Sequence, residues 1–141
     1  MQIIDDQLRQ MAPNVLTKII KMDFDGASDL QSYQNIAAKC ANLDVSIVIA
    51  NAGVMIVGDF INFPSEKSQS MLDVNAYQYV MMHKAFLPML RKRMLSEGKR
   101  CALIGVSSSS WLRHFPKFTM YTATKAFAAY LSLALQQEKS L

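Results

Sequence analysis

Apolar positions along the 141-residue chain change their period several times, and each change marks an element. Ile3, Ile4, Leu8 and Met11 recur at helical spacing, so residues 1–11 read as the end of a helix stopped by Pro13-Asn14. Val15 to Met22 is rich in branched side chains and predicts a strand, followed by a turn at Asp25-Gly26. Ser28 with Gln31 three residues on predicts a capping box. The helix it opens has Leu30, Tyr33, Ile36, Ala37 and Cys40 on one apolar face. Val45 to Ala50 is apolar without alternation, as in a parallel strand covered on both faces. After a loop from Val54 to Ser65, a long helix is expected over 68–94, with Leu72, Ala76, Tyr79, Val80, His83 and Phe86 in its pattern and a bend at Pro88. Cys101 to Val106 predicts a second buried strand, and 119–138 a final amphipathic helix. In that helix Ala128 and Ser132 are small enough to lie close to a sheet, while Phe127, Leu131 and Leu135 supply bulk.

Helices alternating with three strands give an α/β fold, a doubly wound parallel sheet of Rossmann-like form in one domain. Chemistry in such sheets sits at the carboxyl ends of the strands. Those ends carry Asp23, then Asn51-Ala52-Gly53, then Ser107-Ser108.

Composition narrows the function classes. With 51% hydrophobic and 18% charged residues the chain has material for a core and is no disordered tail. The formal charge of +4 comes without a basic block or an aromatic-interleaved stripe, which argues against a nucleic-acid partner. Ten methionines suit a soft core and specify no chemistry. Cys40 and Cys101 fall in a helix and a strand and read as reduced structural thiols, not a disulfide or metal site. The most apolar stretch, 45–58, is interrupted by Asn51 and is shorter than the roughly 18 residues of a membrane span. The first ten residues lack the features of a signal peptide, so no compartment is indicated.

Tyr121 and Lys125, four residues apart in a predicted helix, share one face. An ammonium beside a phenol favours phenolate, which suits the tyrosine to give a proton to a forming alkoxide or take one from an alcohol. Alone, this pair also fits a surface helix with a snorkelling lysine. Ser108, just past a buried strand, can hydrogen-bond a substrate carbonyl and stabilise charge on its oxygen.

Taken together, Asn51-Ala52-Gly53, Asn75, Ser108 and Tyr121-x-x-x-Lys125 resemble the short-chain dehydrogenase/reductase family, in the branch of 17-beta-hydroxysteroid dehydrogenases and very-long-chain 3-oxoacyl-CoA reductases. Ala85-Phe86-Leu87-Pro88-Met89, the serine run 107–110, Phe115-Pro116 and residues 121–127 carry the branch resemblance. It implies oxidation and reduction between a nicotinamide cofactor, NADP before NAD, and a carbonyl or alcohol on a steroid or long-chain acyl substrate. Tyr121 would be the general acid/base. Lys125 would tune it and bind the nicotinamide ribose, Ser108 would hold the substrate oxygen, and Asn75 would support a relay water. Asp23 would contact the adenine, and Asn51, Ala52 and Gly53 would border the cofactor. Simpler roles stay open: Asn51 as a stitch between strands, Asn75 as a helix-start residue, Asp23 as a turn acid. His83 and His114 read as packing or surface residues.

The chain also departs from the family pattern. None of Gly26, Gly53, Gly58, Gly98 and Gly105 forms the glycine-rich phosphate turn, Ala50 stands where the family usually has a second Asn, and sixteen residues follow Lys125. Residues 1–141 are therefore expected to form one partial dinucleotide-binding domain without the first two and last two family strands. In the family's strand order, 3-2-1-4-5-6-7, the missing pair would leave a gap of about 14 Å. The third strand would then dock beside the fourth, the gap would stay open, or another polypeptide would fill it. Expectations are accordingly a truncated reductase, a structural subunit that has lost catalysis, or a product with no stable fold. A homodimer would form through the 68–94 and 119–138 helices, with Tyr77, Phe127 and Tyr130 serving association. Relatives in the branch imply the endoplasmic reticulum, and the cytoplasm would follow if this chain were the whole product.

Overall fold

The computed structural model describes residues 2–138. Helices α1 (Gln2–Met11) and α2 (Leu30–Lys39) precede strand β1 (Ile47–Ala50). Then come α3 (Ser65–Leu72), α4 (Gln78–Glu97), strand β2 (Ala102–Gly105) and α5 (Thr119–Gln137). The strands pair in parallel, Ile47 opposite Ala102 and Ala50 opposite Gly105. The result is an incomplete Rossmann-like α/β fold.

Asp29 caps α2, not the Ser28–Gln31 box expected from sequence. Its extended backbone lets one carboxylate oxygen accept from the Ser32 N–H at 2.8 Å and the other from the Ser32 hydroxyl at 2.7 Å. Tyr33 and Ala37 are buried, with Leu30, Ile36 and Cys40 packed beside them, so the expected apolar face holds. The long helix is continuous from Ser65 to Glu97 but contains a π-helical turn at Asp73–Tyr77. It runs through Pro88 and ends where Gly98, at φ +63°, takes the left-handed conformation.

Two predicted features differ. Val15–Met22 forms no strand and pairs with nothing in the sheet, whose order is β1-β2. An extended segment is a strand only when a neighbour satisfies its backbone, and none stands beside this one among the described residues. The segment is tethered by side chains instead. The Thr17 hydroxyl bonds the Asp5 carboxylate, and Lys18 donates to the Lys39 carbonyl at 2.7 Å. Below it, Met22 and Phe24 pack on the core, Phe24 stacking on Tyr33 at 5.9 Å.

The second difference concerns the sheet faces. Val48 and Ala50 are buried under α4 and α5, yet Ile47 and Ile49 are 57% and 56% exposed. An apolar strand without alternation implies cover on both faces. Among the described residues only one face is covered.

Two packing clusters form that one-sided core. Tyr33 and Ala37 from α2 meet Met81, Ala85, Phe86 and Leu90 from α4 over Val48. Ala50, Tyr79 and Ala128 form the second, beneath the strand tips. Helix α5 lies close to β2, as its small residues predicted. A Cβ on Gly105 would stand 2.7 Å from the Ser132 hydroxyl oxygen, which donates to the Ala128 carbonyl at 3.0 Å.

Gly105→Ala should cost about 1–2 kcal/mol in urea unfolding, since overpacking displaces the Ser132 hydroxyl. Adding Ser132→Ala should recover part of that loss. The Asp29 cap gives a pH test. Hydrogen bonds from the Ser32 hydroxyl, then its amide, hold the carboxyl below its ordinary range. A depressed folded-state pKa adds stability above the unfolded value of about 3.9 and loses it as pH falls through the folded one. Asp29→Ala should therefore lower the thermal midpoint at pH 7, and the gap from wild type should narrow under acid, read by circular dichroism.

Candidate active site

The two strand ends and the inner face of α5 converge on Lys125. Its side chain is 4% exposed, and its ammonium has no carboxylate within salt-bridge distance among the described residues. It donates to the Val106 carbonyl at 3.0 Å, one residue past β2, and to the Tyr79 hydroxyl at 3.4 Å. An ammonium has three N–H donors, so one is left over after these two bonds. Burial without a counter-charge pushes the Lys125 pKa down.

Gly53 stands over this group from the loop after β1. A Cβ there would lie 3.2 Å from the Lys125 nitrogen and 3.4 Å from Asn75 Oδ1. Glycine is needed at this point for close approach, since φ is not unusual there.

Asn75 is fully buried inside the π turn, ten residues into the long helix, so it is no helix-start residue. Its Oδ1 accepts from the Val54 N–H at 2.8 Å, and its Nδ2 donates to the Val54 carbonyl at 2.7 Å. The same Nδ2 donates to the Thr124 hydroxyl at 3.1 Å, and that hydroxyl donates to the Tyr121 carbonyl at 2.8 Å. One amide thus ties the loop after β1 to the first turns of α5.

Tyr121 is half-buried, and the Lys125 nitrogen lies 5.9 Å from its ring centre. Its phenol oxygen makes no hydrogen bond to protein among the described residues. Ser108, also half-buried, caps the short 3₁₀ turn Ser109–Leu112 by accepting from the Ser110 N–H at 3.2 Å. Because the hydroxyl acts there as acceptor, its own proton is free to donate.

The other sequence candidates stand apart. Asn51 is exposed and makes no side-chain hydrogen bond among the described residues, so no stitch between strands is seen. Ala52 is half-buried beside it. Asp23 is an exposed turn acid, its carboxylate accepting from the Asp25 N–H at 3.2 Å. That turn is moored to the long helix through Ser70–Asp25 and Gly26–Asp73 bonds. His114 is exposed. His83 is buried on α4 against the Tyr79 carbonyl, which makes it a packing residue.

Three members make contacts that sequence reading did not assign to them, although Ser107 was already placed at a strand end. Ser107 donates to the Lys125 carbonyl at 2.6 Å, fastening α5 to the end of β2. Thr124 relays from Asn75, and the fully buried Tyr79 touches Lys125.

Two of the cavities lie away from Lys125. One of about 460 Å³ runs along Lys84, Pro88 and Arg91 on the outer side of α4. Another, of about 340 Å³, lies along the first turns of α5 against Trp111 and Phe115. Lys125 itself is buried, with exposed Gly53 and half-buried Tyr121 and Ser108 around it.

Comparisons with known proteins bear on the fold and the family. The chain is 32% identical over 124 residues to human 17-beta-hydroxysteroid dehydrogenase type 3, covering 86% of this chain and 37% of that protein. It is 26% identical over 137 residues to the very-long-chain 3-oxoacyl-CoA reductase of Coccidioides immitis, covering 96% and 38%. The chain thus spans less than half the length of these relatives. Among solved structures it superposes on an alcohol dehydrogenase from the archaeon Thermococcus sibiricus, complexed with 5-hydroxy-NADP, at a TM-score of 0.82. Identity there is 24%, over 99% of this chain and 56% of the other. The short chain dehydrogenase family profile matches residues 2–140, and with that match the chain belongs to the short-chain dehydrogenase/reductase family.

Proposed function

We propose that this chain carries the acid–base half of an NAD(P)-dependent oxidoreductase site acting on a ketone or secondary alcohol. A bulky apolar substrate of steroid or long-chain acyl type is favoured, as is NADP over NAD. The observation that carries the reading is a buried ammonium without a counter-charge, set between two phenols at the strand ends. A lysine kept only for stability would reach water or a carboxylate. The relatives' names and the bound nucleotide analogue of the Thermococcus structure support the cofactor and substrate class.

The residues fit the nicotinamide end of such a cofactor. Gly53 leaves backbone bare beside Lys125, and the ammonium keeps one donor for a ribose hydroxyl. They do not provide its phosphate end, because no glycine-rich turn at a helix start occurs in the chain. The phosphate-binding segment and the substrate-pocket segment, with the first two and last two strands of the family sheet, would lie outside these residues.

When bound, the reduced nicotinamide supplies a hydride to the carbonyl carbon. Tyr121 gives its phenol proton to the carbonyl oxygen as charge develops there, and Ser108 donates a hydrogen bond to the same oxygen. Lys125 stabilises the phenolate left behind. Asn75 acts at one remove, holding Val54 and the start of α5 so that Gly53, Lys125 and Tyr121 keep their spacing.

A second reading rests on the open apolar face of the sheet. Ile47, Ile49 and Ile104 offer association area, as do exposed Phe127 and Tyr130 on α5. In that reading the chain serves as a structural subunit, pairing as a homodimer or completed by a partner chain.

Titrating NADPH and then NADH into isotopically labelled chain should shift the Gly53 amide and the Lys125 side-chain resonances, and NADPH should act at the lower concentration. No perturbation of either residue at millimolar nucleotide would overturn the cofactor assignment for this chain and leave the structural reading. Lys125→Met should raise the thermal midpoint by about 4 °C, roughly 1 kcal/mol in a domain of this size. It removes a buried, unpaired charge, while Tyr79 keeps the Val106 carbonyl satisfied. A fall in the midpoint would mean that Lys125 is there for packing.

A further inference from the structure

Tyr79 is fully buried, and sequence reading treats it as one more apolar position of the long helix. Its hydroxyl nevertheless sits in a polar knot. It donates to the Val106 carbonyl and accepts from the Lys125 ammonium at 3.4 Å. The ammonium bonds the same carbonyl, which closes a three-membered ring of hydrogen bonds. Lys125 also stands 5.5 Å from the Tyr79 ring centre, against 5.9 Å from that of Tyr121.

We propose that Tyr79 is a positioning residue for Lys125: its hydroxyl, not that of Tyr121, fixes where the ammonium stands beneath Gly53. A flexible four-carbon stem gives a lysine many positions. At this one, two acceptors, Val106 O and Tyr79 Oη, define a line, and the third N–H is left over. Every element packed around the ammonium supplies something uncharged. α4 gives the Tyr79 phenol, the end of β2 gives a carbonyl, the loop after β1 gives Gly53 backbone, and the π turn gives the Asn75 amide. Tyr121, on the lysine's own helix, is the other titratable group facing it. Desolvation pushes the Tyr79 phenol up, with the nearby Tyr121 adding to the shift, so Tyr79 stays a neutral acceptor while Lys125 is charged. The inference goes beyond the Tyr121–Lys125 pair. Its consequence for catalysis rests on the function proposed above, but its test needs neither nucleotide nor substrate.

The experiment follows the ¹³Cε resonance of Lys125 in the full chain as pH is raised, in wild type and in Tyr79→Phe. Phenylalanine keeps the ring and its packing and removes only the hydroxyl. If Tyr79 positions the ammonium, the Lys125 midpoint should fall by about half a pH unit, because the charged form loses an acceptor. Its line should also narrow as the side chain gains freedom. A folded variant with unchanged midpoint and line width would overturn the proposal, since a packing role predicts that result. Should Tyr79→Phe fail to fold, 3-fluorotyrosine placed at 79 keeps the hydroxyl while weakening it as an acceptor. The midpoint should fall there too, and an unchanged one would again overturn the proposal. Failure to bind nucleotide would count against the proposed function and leave this result standing.

Discussion

Close contact between helix α5 and the end of strand β2 sets the position of everything else at the site. Gly105 leaves no Cβ, Ala128 adds only a methyl group, and Ser132 folds its hydroxyl back onto its own helix. The axis of α5 can then come near enough for Lys125 to reach past the last strand residue to the Val106 carbonyl. Ser107 closes the arrangement from the strand side by holding the Lys125 carbonyl. A bulkier residue at any of these positions would lift the helix and withdraw the ammonium from the Val106 carbonyl. Packing and chemistry therefore share the same few atoms.

The site also shows a division of labour between nitrogen and oxygen. An isolated cation in a core normally loses its proton or finds a carboxylate. Here two neutral oxygens share the task, and neither cancels the charge. An uncancelled charge keeps its field, and under the proposed function that field would act on the neighbouring Tyr121 phenol. A carboxylate in place of the Tyr79 hydroxyl would hold the ammonium more firmly and leave less of that field for Tyr121.

Much of the fold was legible in the sequence because local pattern and tertiary environment agree over α2, β1, the long helix, β2 and α5. Tyr121, Lys125, Gly53 and Asn75 were legible too, and they do come together. What misled were inferences that needed a neighbour. Val15–Met22 has strand composition, but a ladder requires a second backbone, which composition cannot report. Val45–Ala50 has the apolarity of a strand covered twice, yet Ile47 and Ile49 meet no cover. The simpler helix-start role left open for Asn75 fails because a π turn lets it sit mid-helix with all its polar atoms engaged. Tyr79 stayed hidden because a buried phenol and a buried phenyl look alike in an apolar pattern.

The π turn at Asp73–Tyr77 has an effect that no single side chain carries. It fits an extra residue into the helix, and α3 and α4 are phased across it. Deleting one residue would let the segment close up as ordinary α-helix, at little local expense. The flanking faces would keep their phase, because the wide turn had absorbed the extra residue, and only the positions within the turn would shift. Asn75 would then leave Val54, though neither residue had changed. Chain length between residues 73 and 77 is thus as much a determinant of the site as the identity of its residues. An alignment that slides a gap into this segment would pair the right letters with the wrong faces.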